Sequence, residues 1–325
     1  MRVLVSGGAG FIGSHIVENL LTRGHQPFVV DDLTTGARQN LPVDVPLFEV
    51  DICDGAQLAA VFDEVRPDWV CHQAAQVSVS RSMREPVFDA KVNVLGLLQV
   101  LENSARCGVR RVVFASSGGV LYGDVSTPAT EASPARPISP YGIAKWVGEQ
   151  YLQFFARERG IPAVALRYAN VYGPRQNPHG EAGVVAIFSK RLLAGESATI
   201  NGDGRCVRDY VYVTDAARAN ILAFECELAA PFLALNIGTG QGIDVNELAI
   251  VVRDHVQTIW DSTGRGATVP ELRHGAPRIG DLRSNLVCPD LARQILGWTP
   301  EVQLIDGLRQ TLAWFDSHRP RQDVT

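Results

Sequence analysis

The 325 residues suffice for one large domain or two of moderate size, and a composition of 46% hydrophobic and 20% charged residues is ordinary for a globular protein. The formal net charge of -5 and the scatter of the Lys and Arg residues provide no basic field, so we expect no nucleic acid as a partner. No apolar run reaches the ~18 residues that a membrane helix needs, so we expect no membrane partner either.

The six cysteines are scattered along the chain and form no C-x-x-C pair. This spacing disfavours a zinc site or a disulfide framework, and we expect no metal. Reduced thiols, together with a chain that opens directly into a strand rather than a signal peptide, predict a cytoplasmic protein.

Strand-like and helix-like segments alternate through the first half of the chain. The predicted strands span Arg2–Ser6, Pro27–Asp31, Leu47–Val50, Trp69–His72, Arg111–Ser116 and Ala163–Tyr168. The predicted helices between them span about Phe11–Thr22, Gly55–Glu64, Pro86–Arg106 and Pro140–Arg159. Apolar strands with crossover helices indicate a parallel sheet covered on both faces. The fold class is therefore α/β, a doubly wound (Rossmann) sheet whose ligands bind beyond the carboxyl ends of its strands.

The first strand runs into a glycine-rich turn and then an apolar helix. Gly8, Gly10 and Gly13 fit G-x-G-x-x-G, while Gly7, Gly10 and Gly13 fit G-x-x-G-x-x-G. Glycines let the backbone approach a pyrophosphate, and the free N–H groups of the first helical turn point at its charge. This pattern predicts a dinucleotide site, with an ordinary tight turn as the alternative. The expected contacts are Gly7, Gly10, Phe11, Ile12 and Gly13.

Asp31 ends the second strand, 18 residues after Gly13. A carboxylate there is placed to bind the ribose hydroxyls of the adenosine and repels a 2′-phosphate, so NAD is favoured over NADP. Asp32 is adjacent, and only the strand end favours Asp31 over it. Arg38 is the residue that could accommodate NADP, and a solvated turn aspartate is the alternative for Asp31.

Two further strand ends are expected near the cofactor. Asp51 and Ile52 end the third strand, where an adenine ring would lie. Ala74, Ala75 and Gln76 follow the fourth strand, and small residues there would let the cofactor pass closely.

The helices 86–106 and 141–159 carry apolar residues over more than one face, including Val87, Leu95, Trp146 and Phe154. A helix that is apolar nearly all round is buried on more than one side. We therefore predict a homodimer through a four-helix contact. Coverage of these helices by the second domain is the alternative.

After Tyr168 the chain becomes richer in Gly, Pro and polar residues, and the stretch from Asn170 to Gly183 is predicted as a loop over a ligand. The predicted elements that follow are a helix at Val184–Ala194, strands near Ala198–Ile200 and Arg208–Val213, a helix at Thr214–Phe224, a strand at Leu233–Ile237, and helices near Val245–Ile259, Leu291–Leu296 and Leu304–Ser317. We predict a nucleotide-binding domain of residues 1–171 and 210–237. A smaller, discontinuous α/β substrate domain would comprise residues 172–209 and 238–318, with a frayed tail at 319–325.

Tyr141 and Lys145 lie four residues apart at the start of a predicted helix, so they share one face. A nearby ammonium and a nicotinamide cation favour phenolate and lower the pKa of a tyrosine from about 10. Tyr141 is thus a candidate general base. Ser116 and Ser117 leave the preceding strand end, where a hydroxyl could bind the reacting oxygen. These groups together predict oxidation of a secondary alcohol.

These residues resemble the extended short-chain dehydrogenases/reductases, and in particular the nucleotide-sugar 4-epimerases typified by UDP-glucose 4-epimerase. The resemblance spans nearly the full chain and rests on the following motifs: Gly7–Gly13, Asp31, the H-x-A-A of His72 to Ala75, Asn93, Ser116–Gly123, Tyr141 with Lys145, Asn170–Pro174, Gly202–Gly204, Arg208–Val213, Asn236–Gly238, Arg278–Asp281 and Leu296–Pro300.

The resemblance implies that Tyr141 takes the proton of the sugar C4 hydroxyl while hydride passes to bound NAD, and that hydride returns to the other face of a 4-keto sugar. It also implies roles for other positions. Asn93, Ser116, Tyr141, Lys145 and Tyr168 would contact the cofactor, and Ser117, Tyr141, Asn170, Arg208, Arg278 and Asp281 would contact the nucleotide sugar. Paired arginines suit a diphosphate, although a surface ion pair is the alternative for each.

The chain departs from the family pattern at the position of the hydroxyl that assists the tyrosine. Many relatives place Ser or Thr four residues before the tyrosine of the Y-G pair, and here Gly118 stands at that distance from Tyr122. Ser117 is the preferred substitute, with Ser116 as the alternative. His179 and Glu181 receive no role.

The segment after Ser117 carries no acid of the kind that dehydratases and decarboxylases of this family use, so epimerisation is favoured. UDP-glucose and UDP-galactose are the default pair, while UDP-GlcNAc and UDP-glucuronate remain open. Asn285 falls where side-chain bulk often decides whether an N-acetyl group fits, and its middling size decides little. A dehydratase or reductase of nucleotide sugars is the second hypothesis, and a catalytically inactive NAD-sensing protein is the third.

Overall fold

The computed structural model describes residues 1–179, 183–278 and 281–319. Its strands are β1 (Arg2–Ser6), β2 (Gln26–Asp31), β3 (Leu47–Glu49), β4 (Trp69–His72), β5 (Arg111–Ser117), β6 (Ala163–Tyr168), β7 (Asn170–Tyr172), β8 (Thr199–Asn201), β9 (Val207–Tyr212), β10 (Phe232–Ile237), β11 (Gly242–Asp244), β12 (Arg273–Gly275) and β13 (Ser284–Asn285). Its helices are α1 (Phe11–Thr22), α2 (Gly55–Val65), α3 (Val79–Arg84), α4 (Pro86–Ala90), α5 (Leu97–Cys107), α6 (Gly118–Leu121), α7 (Pro140–Glu158), α8 (Val184–Leu193), α9 (Val213–Glu225), α10 (Val245–Ser262), α11 (Asp290–Leu296) and α12 (Leu304–Ser317). A 3-10 turn spans Arg38–Asn40, and a π-helical segment, Lys91–Gly96, joins α4 to α5.

The main sheet has seven strands in the order β10-β6-β5-β4-β1-β2-β3, and neighbouring strands run parallel. The central strand β1 lies between β2 and β4, with Leu4 opposite Phe28 on one side and Val70 on the other. One apolar cluster packs α1 and α9 against the sheet, and a second packs α2, α5 and α7 against the opposite face. The doubly wound fold predicted from the apolar strands is therefore confirmed.

A smaller region is built on a second sheet. It contains β11, β9 and β13, with β7 pairing to β9, and a two-stranded sheet of β8 and β12 lies nearby. Helices α8, α10 and α12 pack together around Phe188, Trp260 and Leu308, which are buried. The chain leaves the main sheet after β6 and returns to it with α9 and β10.

The predicted helix over 86–106 is present as an uninterrupted run of α4, the π-helical segment Lys91–Gly96 and α5, and the π-helical middle is the part that the pattern did not predict. The predicted loop from Asn170 to Gly183 begins instead with strand β7, which pairs with β9. The sequence analysis also did not predict α3, α6, β11, β12 or β13. These are short elements whose partners are distant in sequence, so local patterns carry little signal for them.

The apolar side chains on the predicted dimer helices are open to solvent in the single chain. Val87 is 83% exposed, Leu95 56%, Phe154 45% and Trp146 41%. The alternative that the second domain covers these helices is therefore wrong for these positions.

Each of the six cysteines carries a free thiol. Across residues 1–179, 183–278 and 281–319, every helix is too short or too polar to cross a membrane. Arg319 of the predicted tail donates to the carbonyl of Leu193, whereas residues 320–325 lie outside the described residues.

Candidate active site

The glycine loop between β1 and α1 is held by close backbone contacts. Gly7 has φ +69°, and a Cβ added to it would lie 2.5 Å from the backbone nitrogen of Ala74. A Cβ on Gly13 would lie 2.1 Å from the carbonyl oxygen of Gly7. Gly10 caps α1 from an extended conformation and provides no side-chain cap hydrogen bond. The first turn of α1, which carries Phe11 and Ile12, thus opens towards a cradle that side chains would block.

The structure distinguishes the two aspartates at the end of β2. Asp31 is buried, and its carboxylate accepts hydrogen bonds from the N–H groups of Ala9 and Leu33, both at 2.9 Å. Burial raises the pKa of the Asp31 carboxyl, and these N–H groups oppose the rise. Asp32 is exposed and accepts from the N–H of Thr34. Asp31 is therefore the carboxylate fixed beside the glycine loop.

Arg38 is held by backbone carbonyls. Its guanidinium donates to the carbonyl oxygens of Val45 at 2.8 Å and Val43 at 2.5 Å. Asp51 is exposed and accepts from the N–H of Cys53, while Ile52 is buried. The donor set beside Asp31 thus fits a dinucleotide without a 2′-phosphate.

At the end of β4, a buried cluster joins three side chains. The Asn93 carboxamide accepts from the N–H of Gln76 at 3.0 Å and donates to its carbonyl at 2.9 Å. The Asp89 carboxylate accepts from Gln76 Nε2 at 2.8 Å and from Asn93 Nδ2 at 2.9 Å. Asn93 lies on the π-helical segment, and such segments often occur at functional sites. Ala74 and Ala75 precede this cluster and are partly buried.

Helix α7 places Tyr141 and Lys145 on one face, as predicted. Ser139 caps the helix through the N–H of Gly142, and Pro140 occupies its first turn. The Lys145 ammonium is buried, donates to the carbonyl of Ala115 at 2.8 Å and lies 5.7 Å from the centre of the Tyr141 ring.

The pKa values of this pair do not follow the sequence-based expectation in the protein alone. Burial raises the pKa of Tyr141, the Asp89 charge raises it further, and the Ser117 hydroxyl opposes the rise. Burial lowers the pKa of Lys145 to about 8, while Asp89 opposes this shift. The expected lowering of the Tyr141 pKa by Lys145 is absent here, because burial and the Asp89 charge set the direction of the shift.

The two candidate serines have different surroundings. Ser116 is buried and donates to Glu149 Oε1 at 2.5 Å, whereas Ser117 lies at the carboxyl end of β5 beside Tyr141. The short helix α6 accommodates Gly118 and Gly119 directly after Ser117. A hydroxyl beside the phenol is thus available from Ser117.

Behind these groups lies a buried ion pair that the sequence analysis missed. Glu149, one turn after Lys145, accepts from Arg167 Nε at 2.9 Å and from Arg167 Nη2 at 2.6 Å. Arg167 also donates to the Tyr122 hydroxyl at 2.7 Å, which in turn donates to Asn236 at 2.8 Å. A glutamate at four-residue spacing from Lys145 on the buried face of α7 was the available signal.

The side chain of Tyr168 is also buried in the protein interior. Its hydroxyl accepts from Asn220 at 2.7 Å and from Gln73 at 3.4 Å. His72 is buried, shares a 2.6 Å hydrogen bond with Ser6, and stacks on Phe114. Burial lowers the pKa of His72 to about 3, so the imidazole is neutral.

Two of the candidate substrate residues, Asn170 and Arg208, lie on the paired strands β7 and β9. Asn170 on β7 donates to the carbonyl of Asp209 at 3.0 Å, and Arg208 on β9 lies opposite Asn285 on β13. Arg208 is partly buried, whereas Arg278 and Asp281 are exposed on either side of the undescribed residues 279–280.

The structure gives Asn285 a role that its position in the sequence did not predict. It is buried, and its Nδ2 donates to the carbonyls of Gly118 at 3.2 Å and Gly119 at 3.0 Å. This side chain therefore ties β13 to the turn that follows Ser117.

His179 and Glu181, which received no role, belong to the predicted loop before α8. His179 Nε2 lies 2.9 Å from Lys190 Nζ on the surface. Glu181 lies outside the described residues.

Comparison with known proteins gives consistent results. Residues 3–238 match the profile of the NAD dependent epimerase/dehydratase family. The chain is 41% identical to the UDP-glucose 4-epimerase of Mycolicibacterium smegmatis over 321 residues, which cover 97% of this chain and 98% of that protein. A crystal structure of UDP-glucose 4-epimerase with UDP-glucose from Thermotoga maritima has 46% identity and a TM-score of 0.91, covering 98% of this chain and 99% of that one. The Thermus thermophilus UDP-glucose 4-epimerase in complex with NAD has 45% identity and a TM-score of 0.91, covering 98% of this chain and 100% of that one.

Proposed function

The chain belongs to the NAD dependent epimerase/dehydratase family, and we propose that it is an NAD-dependent epimerase that interconverts UDP-glucose and UDP-galactose. The observation that carries this proposal is the placement of Tyr141, Lys145 and Ser117 together at the carboxyl end of β5. A phenol, an ammonium and a hydroxyl in one place are the groups that oxidation and reduction of a secondary alcohol require.

The residues at the glycine loop fit NAD. Added Cβ atoms would block the cradle at Gly7 and Gly13, and Asp31 presents a fixed carboxylate for ribose hydroxyls. Asn93 and Gln76 would border the cofactor at the end of β4. When bound, oxidised NAD supplies a hydride acceptor and a positively charged nicotinamide ring.

Tyr141 would take the proton from the C4 hydroxyl of the sugar and return it after the 4-keto sugar has turned over. Ser117 would hold the reacting oxygen through a hydrogen bond. The Lys145 ammonium would stabilise the phenolate by its charge.

Asn170, Arg208, Arg278 and Asp281 would hold the nucleotide diphosphate end of the substrate. Arginine presents fixed donors that match phosphate oxygens. With the nucleotide held, the sugar is free to present either face to the same hydride donor. The glycines after Ser117 provide no carboxylate for loss of water, which supports epimerisation over dehydration.

The test is to incubate the purified protein with UDP-glucose, UDP-galactose, UDP-GlcNAc and UDP-glucuronate separately, without added NAD, and to separate the products by chromatography. We expect UDP-glucose and UDP-galactose to interconvert without net NADH, and the Tyr141→Phe variant to form no product. A 4-keto-6-deoxy product would overturn the proposal in favour of a dehydratase.

We further propose that two chains associate through the exposed apolar residues of α4, the π-helical segment and α7. The exposed side chains Val87, Leu95, Trp146 and Phe154 support this contact, because patches of this kind on a monomer mark interfaces. Light scattering at micromolar concentration should give twice the 35.3 kDa mass of the chain. Phe154→Arg should give a monomer, while the control Leu21→Arg on α1 should stay a dimer. A monomeric wild-type protein would refute the contact.

The domain division at 1–171 with 210–237, and 172–209 with 238–318, is kept as a proposal. The return of α9 and β10 to the main sheet and the separate apolar core around α8, α10 and α12 support it. The six free thiols support a cytoplasmic location.

A further inference from the structure

Asp89 is a buried carboxylate on α4, which packs against α7. Its residue is 1% exposed, and its Oδ1 atom accepts hydrogen bonds from Gln76 Nε2 and Asn93 Nδ2. Both donors are neutral amides, and no cation within residues 1–179, 183–278 and 281–319 forms an ion pair with Asp89. Burial raises the pKa of the Asp89 carboxyl, while these hydrogen bonds and the charge of Lys145 lower it. A buried carboxylate without an ion-pair partner is costly, so its position needs an explanation.

The cation whose charge reaches Asp89 is Lys145 on α7, which packs against α4. The Lys145 ammonium is itself buried, with the carbonyl of Ala115 at 2.8 Å and the Phe114 ring centre at 4.8 Å. Neither neighbour carries a compensating negative charge. Asp89, on the helix that packs against α7, is the carboxylate whose charge reaches Lys145.

The other titratable or charged groups around α7 are neutral or directed elsewhere. His72 on β4 is neutral, and Lys91 on the π-helical segment lies beside Cys53. Arg81 on α3 is paired with Glu85, and Glu149 on α7 is paired with Arg167 on β6. The pKa of Tyr141, one turn before Lys145, is raised by the Asp89 charge and lowered by the Ser117 hydroxyl.

We propose that Asp89 is a positioning residue of the catalytic centre, a buried counter-charge that keeps the Lys145 ammonium protonated and anchors Gln76 and Asn93 beneath the cofactor site. Because Asp89 is negative, it also disfavours the Tyr141 phenolate in the protein alone. Tyr141 would then become able to act as a base when a positive charge enters the site. The catalytic significance of this inference rests on the proposed function, whereas the effect of Asp89 on the ionisation of Lys145 can be measured without it.

The chain offers a direct test because it contains three lysines, Lys91, Lys145 and Lys190. Lysine labelled with ¹³C at Cε should give one NMR signal for each, and Lys145→Met assigns the signal of Lys145. In Asp89→Asn we expect the titration midpoint of Lys145 to fall by about one pH unit, which is about tenfold in its acid constant. The signals of Lys91 and Lys190 should not move.

Glu85→Gln is the matched control, since it removes the same charge from an exposed position four residues before Asp89. It should leave the midpoint of Lys145 unchanged. Asp89→Ser is a second neutral variant, with space for a water molecule, should Asp89→Asn fold poorly. Asp89→Glu keeps the charge and should restore most of the wild-type midpoint.

An unchanged or raised Lys145 midpoint in the neutral Asp89 variants would overturn the inference. Activity provides an independent readout. Both limbs of the pH profile of kcat should move to lower pH in Asp89→Asn, since removal of the negative charge lowers the pKa of both Lys145 and Tyr141. A protein without epimerase activity that still shows the Lys145 shift would refute the proposed function and leave the counter-charge in place.

Discussion

The buried Glu149–Arg167 pair should be a main determinant of stability around α7. The side chains are 1% and 11% exposed, and Arg167 binds both carboxylate oxygens of Glu149. Glu149→Gln keeps the shape of the side chain but leaves the Arg167 charge buried without its partner. Breaking such a pair costs about 3–5 kcal/mol.

The expected change in melting temperature follows from the size of the chain. With 325 residues and about 2.1 cal/mol/K per residue, the unfolding entropy is about 0.7 kcal/mol/K. The loss of the pair therefore lowers Tm by about 4–7 °C, measured by differential scanning calorimetry.

Glu158→Gln on the same helix is the control. Glu158 pairs with Arg157 at 2.6 Å, but the side chains are 48% and 73% exposed, so the pair is worth about 1 kcal/mol at most. The double variant Glu149→Leu with Arg167→Met should recover much of the lost stability, because it removes both charges. A Tm change for Glu149→Gln no larger than that for Glu158→Gln would refute the reasoning.

Four further predictions address the site. Tyr141→Phe should lower kcat by about 10²–10⁴-fold without loss of bound NAD. Ser117→Ala should also lower kcat. An unchanged rate in either variant would remove the substituted residue from the mechanism. Gly13→Ala should give a folded protein that releases less NAD on denaturation than wild type, because its Cβ would lie 2.1 Å from the Gly7 oxygen; full occupancy would contradict the cradle. The stability of Lys145→Met relative to wild type, measured in urea, should fall as pH rises from 8 to 10, because the folded pKa of Lys145, about 8, lies below its unfolded value of about 10.4, so wild type gains stability over this range. A difference that stays constant from pH 8 to 10 would contradict it.

The main sheet was predictable from the sequence because its signal is local. Apolar runs such as Val3–Val5 and Val112–Phe114 are strands buried on both faces, and the helices between them are long enough to carry a period. The choice between neighbouring residues had a weaker signal. Only the strand end favoured Asp31 over Asp32, and the contact of Asp31 with the N–H of Ala9 spans 22 residues of chain.

The apolar pattern over 86–106 shows how a local pattern can mislead. It covers more than one face in part because the π-helical segment Lys91–Gly96 in its middle changes the face that points inwards. Leu97 and Leu101 are buried after this segment, whereas Val87 before it is exposed.

The pair of Tyr141 and Lys145 illustrates the limit of a motif. Four-residue spacing places the two groups on one face, but it does not specify what surrounds them. Here Lys145 donates to a backbone carbonyl, and Asp89, from a different helix, acts on both groups. In the protein alone the phenol is therefore held protonated. In the proposed mechanism, positive charge brought with the ligand would activate the base, which would couple proton removal from the sugar to occupation of the cofactor site.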